Sequence, residues 1–403
     1  EGVATFQLKP QKRWHIFCAP STHTDIGYTN VQSDVIATHN RNTDLAIRLC
    51  EEFPGYKWNL DSSWAAQVFR RDRFDEQWDK LLRLSKAQRI GIEAGYLNML
   101  TGLCSAEELI RNMYYSARLH REYGTTFDSL TLTDAPSHVW SVPSILASAG
   151  IRYLSVGLNT TRAPILRQNV HHKSPFWWEG PDGQKVLTNF SAGYAQAGIV
   201  GLGAPVADMR RAVETYLTWW NNRVDYPYDA TLLHGAYGDN QKIGQAIAES
   251  QKAFAEKYEY PKVYLCRLPD YFQHIEKTFA DKIPTLRGCG GSWWEDGAGS
   301  TAKHTAVNRV AHNRIVAAEM IWAGAAVANP KAEFPQAKFD HIWDNILLYD
   351  EHTWGAYNSI SEPWKDFVQE QWAVKAAYAT TAAEAADRLV ADGLYAIARR
   401  INA

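Results

Sequence analysis

Through the first two thirds of the chain, short β-branched or aromatic runs alternate with amphipathic stretches of helical period, the pattern of parallel strands joined by crossover helices. The runs predict strands at 14–19, 56–61, 90–94, 130–134, 152–157, 230–236 and 262–267. Helices are predicted at 31–52, 63–86, 105–122, 205–224 and 241–257. No G-x-G-x-x-G follows any strand, so an α/β fold built as an irregular seven-stranded parallel (β/α) barrel fits better than a doubly wound sheet. The segment FWWEGPDGQKVLTNF, 176–190, reads instead as a β-hairpin turning at Pro181–Gly183. From about Ala302 only long helical runs remain, at 303–328, 338–349 and 364–400, punctuated by Pro330, Pro335 and Pro363. They predict a three-helix bundle. The expected division is a catalytic barrel over 1–290 and, over 291–403, a bundle that contributes to the active site, with the Gly-rich stretch 288–291 marking the passage.

Composition narrows the function classes. The formal net charge of the 403 residues is -2 and no basic run occurs, so the counterion-release attraction that drives nucleic-acid binding has no source. No stretch approaches the ~20 uninterrupted apolar residues that a membrane span needs. Cys18, Cys50, Cys104, Cys266 and Cys289 are scattered, without a C-x-x-C pair, and read as free thiols. They leave the compartment open, with a secreted or periplasmic location weighed slightly ahead of a cytoplasmic one. The chain starts at Glu1 rather than Met, so a segment upstream is expected to be missing.

In a parallel α/β domain, the loops at the carboxyl ends of the strands build the active site. Acids and histidines gather there. His23 and Asp25, in THTDIGYT directly after the first strand, flank one residue, so an extended chain sends both side chains to the same face, as two ligands of one metal require. A bare H-x-D is also common by chance, with Asp25 as a helix cap and His23 on the surface. Asp134 ends the strand LTLTD, and Asp239 follows ATLLHGAY. In YDEHTWG, 349–355, His352 stands where a helix stops; a capping histidine and a metal ligand are equally good readings of that pattern. Zinc takes four ligands of N, O or S type, and His23, Asp25, Asp134 and His352 would supply two nitrogens and two oxygens. Asp61 shares the same rim, where a cap on the helix that follows is its expected role.

With these residues in place, the order THTDIGYT, TDAPSH (133–138), FWWEGPDGQKVL (176–187), HGAYGDN (234–240) resembles the catalytic region of the α-mannosidases of glycoside hydrolase family 38. The resemblance implies one divalent ion, zinc, on His23, Asp25, Asp134 and His352, with Asp134 also the nucleophile, in a D-x-x-x-H pattern that keeps His138. It implies Asp239 as acid/base and Tyr28 as the aromatic floor under the sugar; Tyr237 and Trp354 are further candidates for substrate contact. It extends to the helix 300–319 that opens the bundle, and a bundle loop is where such proteins carry their last ligand. Three departures stand out. Thr353 replaces an acid that touches sugar hydroxyls, EDGAGST (295–301) lacks a basic pair, and the β-sandwich domains that usually follow are expected to be missing from this chain.

The chemistry implied is retaining hydrolysis of an α-linked sugar, which needs one carboxyl to attack and one to protonate. Asp239 would begin protonated, in a loop partly desolvated by Tyr237 and nearby Trp residues. Two alternatives stay open: a metal-dependent polysaccharide deacetylase, disfavoured because no two of the thirteen histidines are four apart, and a non-catalytic carbohydrate-binding relic. The sixteen Trp and twenty Tyr suit stacking on sugars as well as core packing. Trp293 and Trp294 are candidate subsite walls, and Glu295 and Asp296 are the reserve acids.

Overall fold

The computed structural model describes residues 12–160, 164–291, 294–329 and 333–399, so Trp293 and Pro330 lie outside the described residues. Among the described residues ten strands are formed: β1 (His15–Ala19), β2 (Trp58–Leu60), β3 (Ile90–Ile92), β4 (Ser129–Thr133), β5 (Tyr153–Gly157), β6 (Phe176–Glu179), β7 (Lys185–Ser191), β8 (Ala230–His234), β9 (Lys262–Leu265) and β10 (Thr285–Arg287). The sequence HIFCA lacks polar alternation because β1 lies between two parallel partners, β8 and β9, with four of its five residues buried.

All seven strands anticipated from the pattern are present, but their ladders do not close into one ring. They fall into three sheets, ordered β8-β1-β9, β2-β3 and β10-β6-β7-β5-β4. The cause is local. β2 and β3 are three residues each, and the Asn59 side-chain amide reaches the carbonyls of Pro20 and Cys266 at 3.2 and 2.9 Å, where a longer strand would carry ladder bonds. Between β3 and β4 the link is a backbone bond from Ala94 N to Ser129 O, 2.9 Å. The hairpin anticipated at 176–190 is formed. β6 and β7 pair antiparallel, and β7 pairs parallel with β5, so it enters the main array.

Two predicted helices are split. The run 63–86 becomes Trp64–Asp72 and Asp75–Lys86, broken at Arg73 with φ -125 and ψ 154, and 105–122 becomes Ala106–Arg111 and Tyr114–Tyr123. Beyond the strands, helices Ala302–Ala328, Gln336–Asp350 and Asp366–Ala398 pack on one another. Their shared core sets small residues of the first and third (Ala311, Ala318, Ala382, Ala386) against Phe339, Ile342, Trp343 and Ile346 of the second. Each of those large side chains contributes about 1.5–3 kcal/mol by its burial. Polar contacts dock this part onto the strands' side of the molecule, among them Gln67 to Asp344 at 3.0 Å and Arg111 to Glu319 at 2.8 Å. Among the described residues no helix is long and apolar enough to cross a membrane.

Candidate active site

The parallel sense of β1, β2, β4 and β8 delivers their following loops to one end of the molecule. After β1 the chain is held by Thr22, whose hydroxyl donates to the carbonyls of Gly238 and Gln241 at 3.1 and 3.0 Å. It then turns at Gly27, where φ is +99 and a Cβ would lie 2.7 Å from the Gln32 amide, so glycine is required. That turn leaves His23 and Asp25 facing inward, 1% and 2% exposed.

His23, Asp25, Asp134 and His352 converge on one point. One ligand atom from each lies within 4.8 Å of the others. The two Nε2 atoms are 3.1 Å apart, and Asp25 Oδ1 stands 3.2 Å from the first and 3.3 Å from the second. Asp134 Oδ2 is 3.9 Å from His352 Nε2. Each imidazole has a carboxylate behind it: Asp61 is hydrogen-bonded to His23 Nδ1 at 3.1 Å, and Glu351 Oε1 pairs by charge with His352 Nδ1 at 2.6 Å. This is the arrangement that fixes a metal-ligating histidine with Nε2 forward.

The carboxylates behind the ligands are themselves held. Asp61 accepts from Thr24 N at 3.0 Å, Asn98 Nδ2 at 2.8 Å and Thr133 Oγ1 at 2.6 Å, which replaces the helix-capping role expected for it; the helix at Trp64 begins without a side-chain cap. Asn98 also receives Thr133 N on its side-chain oxygen and His352 N on its backbone oxygen. Glu351 accepts from Thr353 N at 3.2 Å and from the buried ammonium of Lys375 at 3.4 Å. Asp134 sits in the left-handed region at φ +59, a conformation that costs a non-glycine residue about 1–3 kcal/mol, with Asn159 donating to its Oδ1 at 2.8 Å.

Proton affinities follow from this crowding. Burial works against the charged form of His23, but Asp25 and Asp61 outweigh it and hold its pKa well above the ordinary value. The same opposition, with Glu351 as the largest favourable partner, pushes His352 up to about 9. Asp25 is depressed despite its burial by the two histidines, and Asp61 is brought down to about 2. For Asp134 burial wins over His23, His352 and Asn159, and its pKa rises. The electrostatics therefore ask for positive charge at the centre of the cluster. The four residues could hold a divalent ion, which would supply that charge, and they offer it two nitrogens and two oxygens.

The remaining candidates are spread around this centre. Asp239 is exposed, not desolvated as its expected role asked, and accepts from Tyr194 OH at 3.0 Å. Tyr194, which the sequence did not single out, also sets its ring 5.0 Å from that of His23, so it spans from the cluster to Asp239. Tyr28, half-buried at φ +60, donates its N–H to Gly355 O at 3.0 Å and accepts from Tyr357 N at 3.1 Å. Tyr237 is tied into its own loop through Gly244. Trp354 is 9% exposed and packs with Leu100, Ala135 and Trp294 rather than presenting an open face. His138 is wholly buried against Phe190 and lies outside the cluster, and Glu295 is engaged by Ser137 Oγ.

Residues 13–289 match the model of the glycosyl hydrolases family 38 N-terminal domain. The chain belongs to glycosyl hydrolase family 38. Among similar proteins, alpha-mannosidase 2C1 of Homo sapiens is 22% identical over 337 residues, 82% of this chain and 31% of that protein. The Mus musculus protein of the same name is 22% identical over 79% of this chain and 29% of its own length. The family 38 chain thus spans under a third of the curated relatives it matches. Among solved structures, an alpha-mannosidase from Enterococcus faecalis V583 aligns over 96% of this chain and 43% of its own at a TM-score of 0.73 and 17% identity. A GH57 branching enzyme from Thermococcus kodakaraensis aligns over 97% and 95% at 0.56 and 11% identity, a likeness of fold alone.

Proposed function

We propose that this family 38 chain is the catalytic part of a metal-dependent retaining glycoside hydrolase of α-mannosidase type, its strands forming an irregular barrel over 1–290 and its bundle, 291–403, supplying the last ligand. The observation that carries the reading is the convergence of His23, Asp25, Asp134 and His352, each histidine backed by its own carboxylate. The human and mouse relatives, named as alpha-mannosidases, support the choice of sugar.

His23, Asp25, Asp134 and His352 would hold the ion, which when bound supplies positive charge beside Asp134 and a Lewis acid for sugar hydroxyls. The protein's own groups do the rest. Asp134 attacks the anomeric carbon as the bond to the leaving oxygen breaks, and Asp239 gives that oxygen its proton. Water then attacks the anomeric carbon of the glycosyl-aspartate, Asp239 takes the water's proton, and Asp134 is released. Two inversions give net retention. Tyr194, donating to Asp239, orients the acid/base, and Tyr28 offers a face for the sugar.

A panel of nitrophenyl glycosides and acetylated oligosaccharides, each with and without chelator, tests this. Cleavage of the α-mannoside, lost on chelation and restored by zinc, is expected; acetate release in its place would point to a deacetylase, and silence toward every substrate to a binding relic.

A further inference from the structure

Cys104, Glu108 and Asp350 bring a thiol and two carboxylates together outside the catalytic cluster, with a donor atom of each within 4.8 Å of the others. They come from separate elements. Cys104 lies in the turn before helix Ala106–Arg111, Glu108 is on that helix, and Asp350 ends helix Gln336–Asp350. Glu108 is 0% and Asp350 8% exposed. Yet Glu108 Oε1 and Asp350 Oδ2 have no donor to accept from. Neither has Oδ1 of the neighbouring Asn308, a 1% exposed residue whose amide nitrogen donates to Asp350 Oδ1 at 3.0 Å. A buried oxygen left without a donor is costly, and here three stand in one place.

The nearby cations do not meet the need. The Arg309 guanidinium reaches only the other Glu108 oxygen, Oε2, at 3.3 Å, and Lys375 is spent on Leu348 O, Glu351 O and the Glu351 carboxylate. One arginine thus serves two carboxyl groups that stand beside a thiol.

We propose that Cys104, Glu108 and Asp350, with Asn308 as a fourth donor, form a second, structural divalent-cation site that takes a thiophilic ion such as zinc. A mixed sulfur and oxygen set selects zinc over magnesium or calcium. On binding, the Cys104 thiol gives its proton to solvent and the sulfur–metal bond forms, with no change of oxidation state. The ion clips the end of the helix that leads into Glu351 and His352 onto Ala106–Arg111, fixing the approach of the last catalytic ligand. The site requires no assumption about the sugar hydrolysed.

Elemental analysis and cobalt substitution test it. Wild type should carry two ions per chain, Cys104→Ala and Asp350→Asn one, His23→Ala one, and the Cys104→Ala/His23→Ala double variant none. If the catalytic cluster took no ion, wild type would carry one and Cys104→Ala none, so the two sites fail independently. Cobalt-loaded wild type and His23→Ala should show a thiolate-to-cobalt charge-transfer band that Cys104→Ala lacks, since the catalytic cluster contains no sulfur. Equal metal content in wild type and Cys104→Ala, with no such band, would overturn the site and leave the two carboxyls sharing a proton.

Discussion

Asp134 is the residue on which the proposed chemistry turns: it faces His352 with one oxygen, receives Asn159 on the other, and is held on left-handed backbone. Asp134→Asn is expected to lower turnover of every glycoside by several orders of magnitude, because no glycosyl-aspartate can form. Asp239→Ala should behave differently. Poor leaving groups should lose about 10²–10⁴-fold, dinitrophenyl glycosides little, and added azide should give a glycosyl azide of retained configuration. An inverted azide would move the acid/base role to Glu295 or Asp296. Behind the cluster, Asp61→Asn should weaken metal affinity about 10–100-fold in a competition titration, since His23 loses the acceptor that fixes its tautomer. Three members of the cluster, His23, Asp25 and Asp134, were legible because they follow or end strands. Asp61 was misread because its partner His23 is 38 positions away, and a carboxylate before a helix looks like a cap. Tyr194 lay hidden for a similar reason: nothing local in SAGYAQ signals a partner 45 positions downstream.

At the scale of elements, the seven parallel strands and the three long helices could be read from periodicity, since burial on both faces or on one stripe imposes it. The sheet grouping could not. It goes with strands as short as β2 and β3, three residues each, and the break at Arg73 depends on backbone angles that no run of residue types announces. The passage from β3 to β4 carries a testable load of its own. Glu93, 1% exposed just beyond β3, accepts from Ser129 Oγ at 3.1 Å, and its burial pushes its pKa up to about 8. A carboxyl raised on folding binds more protons in the native state between its unfolded pKa, about 4.3, and the folded one, so stability falls as pH rises through that window. The slope from this group is at most about 1.4 kcal/mol per pH unit. Glu93→Gln should remove that part of the slope: denaturation midpoints of variant and wild type should lie close at pH 5 and diverge in the variant's favour by pH 8. Parallel curves across the range would mean that Glu93 is ionised in the folded protein.

For the whole molecule, the cluster is the place where strands and bundle share a centre of charge. If the cluster holds an ion as proposed, chelation is expected to lower the melting temperature of the entire chain, the loss of stability reaching about 4 kcal/mol per site when zinc had been present at a thousand times its dissociation constant. A melting curve indifferent to chelator would place no ion there. That His352 would stand against His23 and Asp25 was legible only through the family resemblance, because a histidine at a helix end says nothing by itself about a loop on the far side of the chain. His23 and His352 meet across 329 positions, and the loops that carry them are stitched together by the backbone bonds of Tyr28 to Gly355 and Tyr357. A protein made from its N-terminus outward has its first ligand long before its last. While the ribosome is still adding the strands, His23 and Asp25 of THTDIGYT stand without His352, and Asp134 lacks its neighbour from the bundle. Under the proposed function, hydrolytic competence would therefore arrive late in synthesis, after the bundle's second helix and the loop behind it have cleared the exit tunnel, and a nascent chain stalled before that point is expected to be inert toward glycans.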